Sequence, residues 1–547
     1  MYEKFLESLL LFGVLWPLMS VPVLAVKKIR AVVLSLLPWT ALPALLAALF
    51  VSPDTLHLEF PWLILGVQIG LDTTGSLFLL GSSLLWLVAA LYTKAYFREE
   101  KKQVSFYSFF LLAMAGNFGL IVSQDIFSFY LFFTLMSFAS YGLVVFNRDN
   151  EAFHAGLVYI VLVVIGEVML FVAFLLLAQI SDATSFEALR SGLTNAPDKN
   201  FIIFLLFVAF GIKAGVIGLH VWLPLAHPVA PTPASAVLSG AMINAGLLGW
   251  LRFLPLDEIF SVNWALSFIV LGIAAQFYGV IAGVTQRNPK TLLAYSSISQ
   301  MGIMTMLTGF GFYLPQYWES IVVGITFFAL HHGLNKGALF LGVGMLGGTN
   351  RRQRYALWFG LFIPALALAA VPYSSGMAAK YMVKDYISYF ATPWSTLLGM
   401  LLFVGTLGTT LLMIRLLYLV RPSSTPFGIK ANVSLLCPWV LLLGIILTLP
   451  FILEPSLEAM YKLSPLPFLY PLLVAIVITF VISKIQKIQN IQPVVAGDIV
   501  IYYERILFYI IKYGKKLNLV LHCYRYFGSW TRHFITKLSN TITAWIQ

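Results

Sequence analysis

Charge is scarce in this chain. Only 10% of its 547 residues are Asp, Glu, Lys or Arg, against 60% hydrophobic residues and a mean hydropathy of +0.89. So thin a charged complement does not fit a soluble catalytic domain and places the chain among polytopic membrane proteins. Cysteine is scarcer still. Cys437 and Cys523 are too few and too scattered for a disulfide frame, a zinc site or an iron–sulfur cluster. There is no Gly-rich phosphate loop, and the histidines lack carboxylate or cysteine company at ligand spacing. Nucleophilic and metal chemistry therefore find no support, and no metal or cofactor is expected. The net charge of +12 does not point to nucleic acid, because the positive residues follow membrane topology and do not gather in one patch.

What is abundant is apolar sequence in runs long enough to span a bilayer. They fall near 5–25, 31–51, 73–93, 105–122, 126–146, 153–180, 201–219, 234–253, 263–284, 291–312, 320–346, 355–373, 394–419, 433–453 and 466–484, with a broken piece at 376–390. Each needs about 20 apolar residues. The segment 52–72 has β-branched and alternating residues and reads as an external loop or hairpin. The opening MYEKFLESLL has acids where a secretion signal needs basic residues, so the first helix is expected to be retained.

Basic residues then orient the chain. One set of alternate loops holds Lys27, Lys28, Arg30, Lys94, Arg98, Lys101, Lys102, Arg148, Arg287, Lys290, Arg351, Arg352, Arg354, Arg421 and Lys430. The opposite set holds only Lys4, Arg190, Lys199, Arg252 and Lys462. The amino terminus is expected outside and the carboxyl terminus in the cytoplasm, in a cell (inner) membrane. The tail 485–547 mixes Ile, Leu, Phe and Tyr with Lys and Arg. It reads as a basic amphipathic helix on the cytoplasmic face of the lipid bilayer, the alternative being a loosely ordered basic tail.

The chain is organised around 201–253, FIIFLLFVAFGIKAGVIGLHVWLPLAHPVAPTPASAVLSGAMINAGLLGWLRF. One charge, Lys213, lies in an apolar run that then meets Pro224, Pro228, Pro231, Pro233, His220 and His227. A lysine at mid-bilayer costs about 2.5–3.5 kcal/mol, so an intramembrane lysine marks a functional site by default. Broken backbone at that depth is tolerated only against protein or a water-filled cavity. The alternative is a lysine that snorkels to the headgroups.

Few other ionisable groups lie at depth: Glu167, His331, His332, Lys336 and Lys380. His332 and Lys336 are four apart and share a helix face. His331 points about 100° away and can simply bond a backbone carbonyl. Lys380 follows Gly376, Pro372 and a Ser-Ser pair, a second interrupted helix with a lysine beside the break. Paired interrupted segments point to a transporter built from inverted repeats. Burial and neighbouring carboxylates act on a lysine's proton in opposite directions, so such groups can relay protons.

HVWLPLAHPVAPTPASAVLSG, NPKTLLAYSSISQMGIM and HHGLNKGALFLGVG resemble the antiporter-like, proton-translocating membrane subunits of complex I, of formate hydrogenlyase-type hydrogenases and of Mrp cation/proton antiporters. The similarity covers about 70 to 420 and looks nearest the hydrogenase-associated branch. It implies an all-α polytopic membrane protein of about 14–15 transmembrane helices, with two inverted repeats and broken helices seven and twelve. It places Lys213 on broken helix seven, His332 and Lys336 on helix eleven and Lys380 on broken helix twelve. The expected divisions are 1–104 (amino-terminal helices and external loop), 105–253 and 254–419 (two half-channels), 420–484 (carboxyl-terminal helices) and the tail 485–547.

Two positions depart from the resemblance. The family's helix-five glutamate is replaced by Thr134 in FFTLMSFASY, and a lysine common on helix eight is replaced by Asn244 in AMINAGLLG. Lys213 thus loses its usual partner, and Glu167, one helix later, is the carboxylate left to take over. A degenerate first half-channel is the other outcome. The resulting expectation is a proton-translocating subunit of a multi-subunit complex, relaying protons through Lys213, Glu167, His332, Lys336 and Lys380. His220 and His227 would admit protons from the cytoplasmic side. Its partners would be other membrane subunits and a soluble redox or zinc-binding protein, and its cargo protons or Na+. The alternatives are a cation/proton antiporter or inorganic-carbon uptake subunit, and a non-conducting membrane anchor.

Overall fold

The computed structural model describes residues 2–503 except 64–65, 98, 182, 348–349, 424–426, 454–465, 485–491, 498–499 and 501. In lipid every backbone N–H and C=O needs an internal partner, which forces the apolar runs into helices. Among the described residues, ten helices are long and apolar enough to cross a membrane. The chain is a multi-pass, all-α membrane protein.

Its first crossing is α1 (Tyr2–Val23). The second is α2 (Arg30–Leu36) and α3 (Leu42–Phe50), joined by a 3-10 turn at Leu37–Trp39. The segment expected as a loop or hairpin is an antiparallel hairpin, β1 (His57–Phe60) against β2 (Val67–Gly70), with His57 opposite Gly70. Then come α4 (Thr73–Tyr96), α5 (Glu100–Val122), α6 (Ile126–Val144), α7 (Asn150–Ile180) and the short α8 (Phe186–Asn195). Asp125 caps α6 through the Phe127 and Ser128 amides and also accepts from the Gln68 amide at 2.8 Å, tying the hairpin to the start of α6.

The seventh span is broken into α9 (Lys199–Ala214) and α10 (Trp222–Val229). The eighth is α11 (Thr232–Val237), a π-helical turn at Leu238–Met242 and α12 (Asn244–Phe253). Next are α13 (Val262–Thr285), α14 (Pro289–Tyr313) and α15 (Trp318–Val343). The twelfth span is again broken, into α16 (Arg351–Leu368) and α17 (Ser375–Ser388). Then follow α18 (Trp394–Leu419), α19 (Val433–Thr448) and a further helix, Leu466–Lys484. Among the apolar runs that miss the ten, 201–219 falls on a helix cut short by a break, α9, and 320–346 on one made polar by buried groups, α15.

Burial sorts these helices. On α7, Leu157, Val161, Val168 and Leu175 face outward while Tyr159, Glu167 and Leu170 are buried. A helix apolar all round fits a lipid-facing position. The eighth span, α14 and α15 are buried along almost their whole length. Here α15 meets the π-helical turn so closely that a Cβ on Gly333 would stand 2.3 Å from the Gly240 carbonyl oxygen. Only glycine permits that approach.

Two charges counted above as loop residues are buried. Arg252, 2% exposed, ends α12 by pairing with Asp72 at 2.8 Å, and it donates to the Leu120, Ile121 and Ser123 carbonyls at the end of α5. Helix carbonyls left without intrahelical donors attract a cation there. Lys290, 5% exposed, lies in the first turn of α14 and donates to the Ala230 carbonyl at 2.7 Å. Both stand at span ends, where a topological count reads loop. Of the tail expected over 485–547, only 492–497, 500 and 502–503 are described, and the amphipathic helix falls outside the described residues. Val494 bonds Thr285 and Gln286 at the end of α13.

Candidate proton path

The first break is made by glycine. Gly215 and Gly218 adopt left-handed backbone, with φ of 73° and 86°, which ends α9 just past Lys213. Lys213 is 3% exposed, and its ammonium donates to the Tyr159 hydroxyl at 3.2 Å. That hydroxyl donates in turn to the Ser137 carbonyl on α6 at 2.9 Å, and the Tyr159 ring packs edge-on against Trp222 of α10. Tyr159 thus connects α6, α7, α9 and the far side of the break.

Glu167 does not touch Lys213. The two interact electrostatically but form no ion pair; Oε2 of Glu167 accepts from Thr134 Oγ1 at 2.7 Å. Its other oxygen, Oε1, is buried without a hydrogen-bond partner, as is Ser137 Oγ, one turn along α6 from Thr134. Thr134 of α6 therefore holds the carboxylate of the neighbouring helix α7. Lys213, Tyr159, Ser137, Thr134 and Glu167 form one polar group between α6, α7 and α9.

The centre of the molecule holds a second group. Lys336, fully buried, donates to the Leu293 carbonyl at 3.0 Å, and Lys290 lies one turn before Leu293 on α14. His227 is fully buried, stacks on Phe340 at 4.7 Å, and feels both lysines electrostatically. Neither of its ring nitrogens has a hydrogen-bond partner, and the same is true of His332, also fully buried. Ser239 and Ser297 share a hydrogen bond of 2.7 Å between the eighth span and α14. Asn244 donates to the Gly240 carbonyl at 3.2 Å and leaves its Oδ1 without a partner. It lines a cavity of about 10 Å³ with Ser82, Gly240, Ala329 and Gly333.

The second break, between α16 and α17, turns through Ala370 and Tyr373, both at positive φ, before Ser374 caps α17. Lys380, 2% exposed, reaches back across it to the Leu368 carbonyl at 3.2 Å. Lys213 precedes its break and Lys380 follows its own.

The sequence-derived residues thus form three buried groups: Lys213 with Glu167 near the first break, His227 with Lys336 at the centre, and Lys380 at the second break. His220, fully buried, accepts from the Gly218 amide at 3.2 Å, so neither it nor His227 opens directly on solvent. Two members were missed. Tyr159 carries no charge to betray it, and Lys290, in NPKTLLAYSSISQMGIM, stands at a span end where a positive charge reads as loop. A pattern unites the four lysines that are buried among the described residues. Lys213, Lys290, Lys336 and Lys380 each make one hydrogen bond, to a neutral oxygen, and none forms an ion pair.

Residues 123–411 match the family described as NADH:quinone oxidoreductase/Mrp antiporter, TM. The chain is 29% identical to hydrogenase-4 component B of Escherichia coli (strain K12) over 335 residues, 57% of this chain and 49% of that protein. It is 28% identical to NAD(P)H-quinone oxidoreductase chain 4-2 of Synechocystis sp. over 348 residues, 60% of this chain and 61% of that one. The chain spans about half the length, or less, of the first curated relatives it matches. In fold it resembles a chain of the Mrp complex from Dietzia sp. DQ12-45-1b, with a TM-score of 0.77 at 20% identity, over 94% of this chain and 60% of that chain.

Proposed function

Because the chain belongs to the NADH:quinone oxidoreductase/Mrp antiporter transmembrane family, we propose that it is a proton-translocating membrane subunit of a multi-subunit ion-pumping complex. The observation that carries this is the set of four buried lysines, each bonded to a single neutral oxygen. An ammonium has three donors, and burying one without a counter-charge is expensive. With no carboxylate in contact to hold its proton, each of these groups can release and regain it. The half-channels are 105–253, working through Lys213, Tyr159 and Glu167, and 254–419, working through His332, Lys336 and Lys380, with His227 and Lys290 between them. The Thr134–Glu167 bond favours a working first half-channel over a non-conducting anchor, because it keeps a carboxylate beside the position that Thr134 fills in place of the resemblance's glutamate.

On this reading the protein works beside other membrane subunits in the cell (inner) membrane, with its amino terminus outside and carboxyl terminus in the cytoplasm. A soluble redox or zinc-binding partner would supply the driving reaction. The test is proton movement in vesicles carrying the purified complex. Lys336→Ala should abolish it while the subunits still co-purify; translocation at the wild-type rate would overturn the proposal.

A further inference from the structure

Arg415 stands where topology alone does not put a basic residue: inside α18, one turn before its end. On that helix Leu397, Met400, Val404 and Tyr418 are exposed, while Leu398, Leu402, Leu412 and Leu416 are buried. Helical spacing carries the outward stripe from Leu397 through Met400, Val404 and Leu411 to Arg415 and Tyr418. Arg415 is therefore on the face that α18 turns to lipid. Two more guanidiniums gather there. Arg415 makes one hydrogen bond, to the Gln286 carbonyl just past α13 at 3.2 Å, which sets it beside the exposed Arg287. Arg415 and Arg421 both lie over the Tyr418 ring, 5.7 and 4.0 Å from its centre. Arg287 and Arg421 act on Arg415 electrostatically, and like charges repel. Neither Arg287 nor Arg415 forms an ion pair among the described residues. From residue 259 to 453 the only carboxylates are Glu319 and Asp385, in the first turn of α15 and the last turn of α17. Both lie at the opposite end of the bundle from the ends of α13 and α18.

We infer that the ends of α13 and α18 bind an anionic phospholipid, its phosphate held by Arg415, Arg421 and Arg287 and its acyl chains laid along the α18 stripe. A guanidinium has five N–H donors in a fork that matches phosphate oxygens, and Arg415 uses one of them within the protein. Charge-assisted bonds from guanidinium to phosphate are strong, and a bound phosphate offsets the repulsion among the three arginines. The stripe favours a lipid over a soluble anion, because the cluster closes an apolar face running from Leu397 to Leu411. Tyr418 fits the same boundary, with a ring that suits the acyl region and a hydroxyl that suits the headgroups. Basic clusters between spans, at the membrane face rich in Lys and Arg, suit anionic headgroups. The site goes beyond the transport reading and stands whether or not the chain conducts.

The test places a photo-crosslinking amino acid at Leu411, on the stripe one turn before Arg415. The full chain, in its purified complex, is returned to phosphatidylcholine vesicles holding phosphatidylglycerol as a minor component, and the adducts are weighed. Phosphatidylglycerol should be captured at roughly fivefold or more above its share of the bilayer, an excess that shrinks as salt rises. Arg415→Gln with Arg421→Gln should bring capture down to that share. Arg421→Gln alone, which keeps the Arg415 bond to Gln286, should lose roughly half the excess or more and serves if the double variant does not assemble. Arg351→Gln with Arg352→Gln removes two charges at the start of α16 and should leave the excess in place. Capture at the bulk share in the wild type, or an excess that survives the loss of Arg415 and Arg421, would overturn the site. Equal loss in the α16 variant would reduce it to net charge and overturn it too. Removal of the excess by inorganic phosphate would make the ligand a soluble anion, and adducts mainly to polypeptide would make this face a subunit contact; either result ends the lipid proposal.

Discussion

Thr134 Oγ1 donates to Glu167 Oε2 at 2.7 Å, joining α6 to α7 inside the membrane. One residue of the pair supplies the acid and the other donates a hydrogen bond to it. If the carboxylate matters and its helix of origin does not, exchanging the two should work. Glu167→Gln should slow proton translocation by roughly tenfold or more, a barrier rise of about 1.4 kcal/mol. Thr134→Glu combined with Glu167→Thr should recover most of that loss. An exchange variant no better than Glu167→Gln would show that the carboxylate must stand on α7.

Tyr159 supplies the one hydrogen bond of Lys213. Tyr159→Phe should therefore impair translocation about as strongly as Lys213→Ala, while shifting thermal stability by no more than about 1–3 kcal/mol, the cost of the two buried hydrogen bonds its hydroxyl makes. Glu167→Gln with Lys213→Ala should be little worse than either alone, as for residues acting in one network. Additive losses in vesicle assays would separate the two residues.

How far the sequence could be read depends on what kind of residue does the work. Charges announce themselves in an apolar run, so Lys213, Glu167, Lys336 and Lys380 were all visible, and the hairpin at 57–70 followed from its alternation. A hydroxyl does not announce itself, which hid Tyr159. Nor does period or hydropathy show that a charge at a span end folds inward, which hid Arg252 and Lys290. The separation of Glu167 from Lys213 is a matter of helix rotation, and the Thr134 bond decides it. His331 was read as a residue that could satisfy itself on backbone; its partner, Ser375, is 44 residues away.

Lys380→Ala should abolish translocation while leaving assembly intact. The side chain bridges a break by one hydrogen bond to the Leu368 carbonyl, and the cap at Ser374 remains to start α17. Wild-type pumping by vesicles containing this variant would remove Lys380 from the path.

Arg252 and Asp72 test stability separately from transport. Arg252→Met strands the Leu120, Ile121 and Ser123 carbonyls and leaves Asp72 without its cation, which should cost about 3–5 kcal/mol, as for a broken buried pair. Asp72→Asn should cost only about 1 kcal/mol, because the guanidinium keeps its carbonyl partners. Thermal unfolding of the detergent-solubilised variants would rank them, and equal losses would show that the ion pair outweighs the helix-end contacts.

The ten helices long and apolar enough to cross a membrane do not include α9, α14 or α15, which carry Lys213, Lys290 and the His332–Lys336 pair. A central lysine adds about 2.5–3.5 kcal/mol to the insertion of a helix on its own. Biogenesis of this protein should therefore have an order: the apolar helices, α7 with its Glu167 among them, enter lipid independently, and the helices bearing Lys213, Lys290 and Lys336 enter only against neighbours already in place.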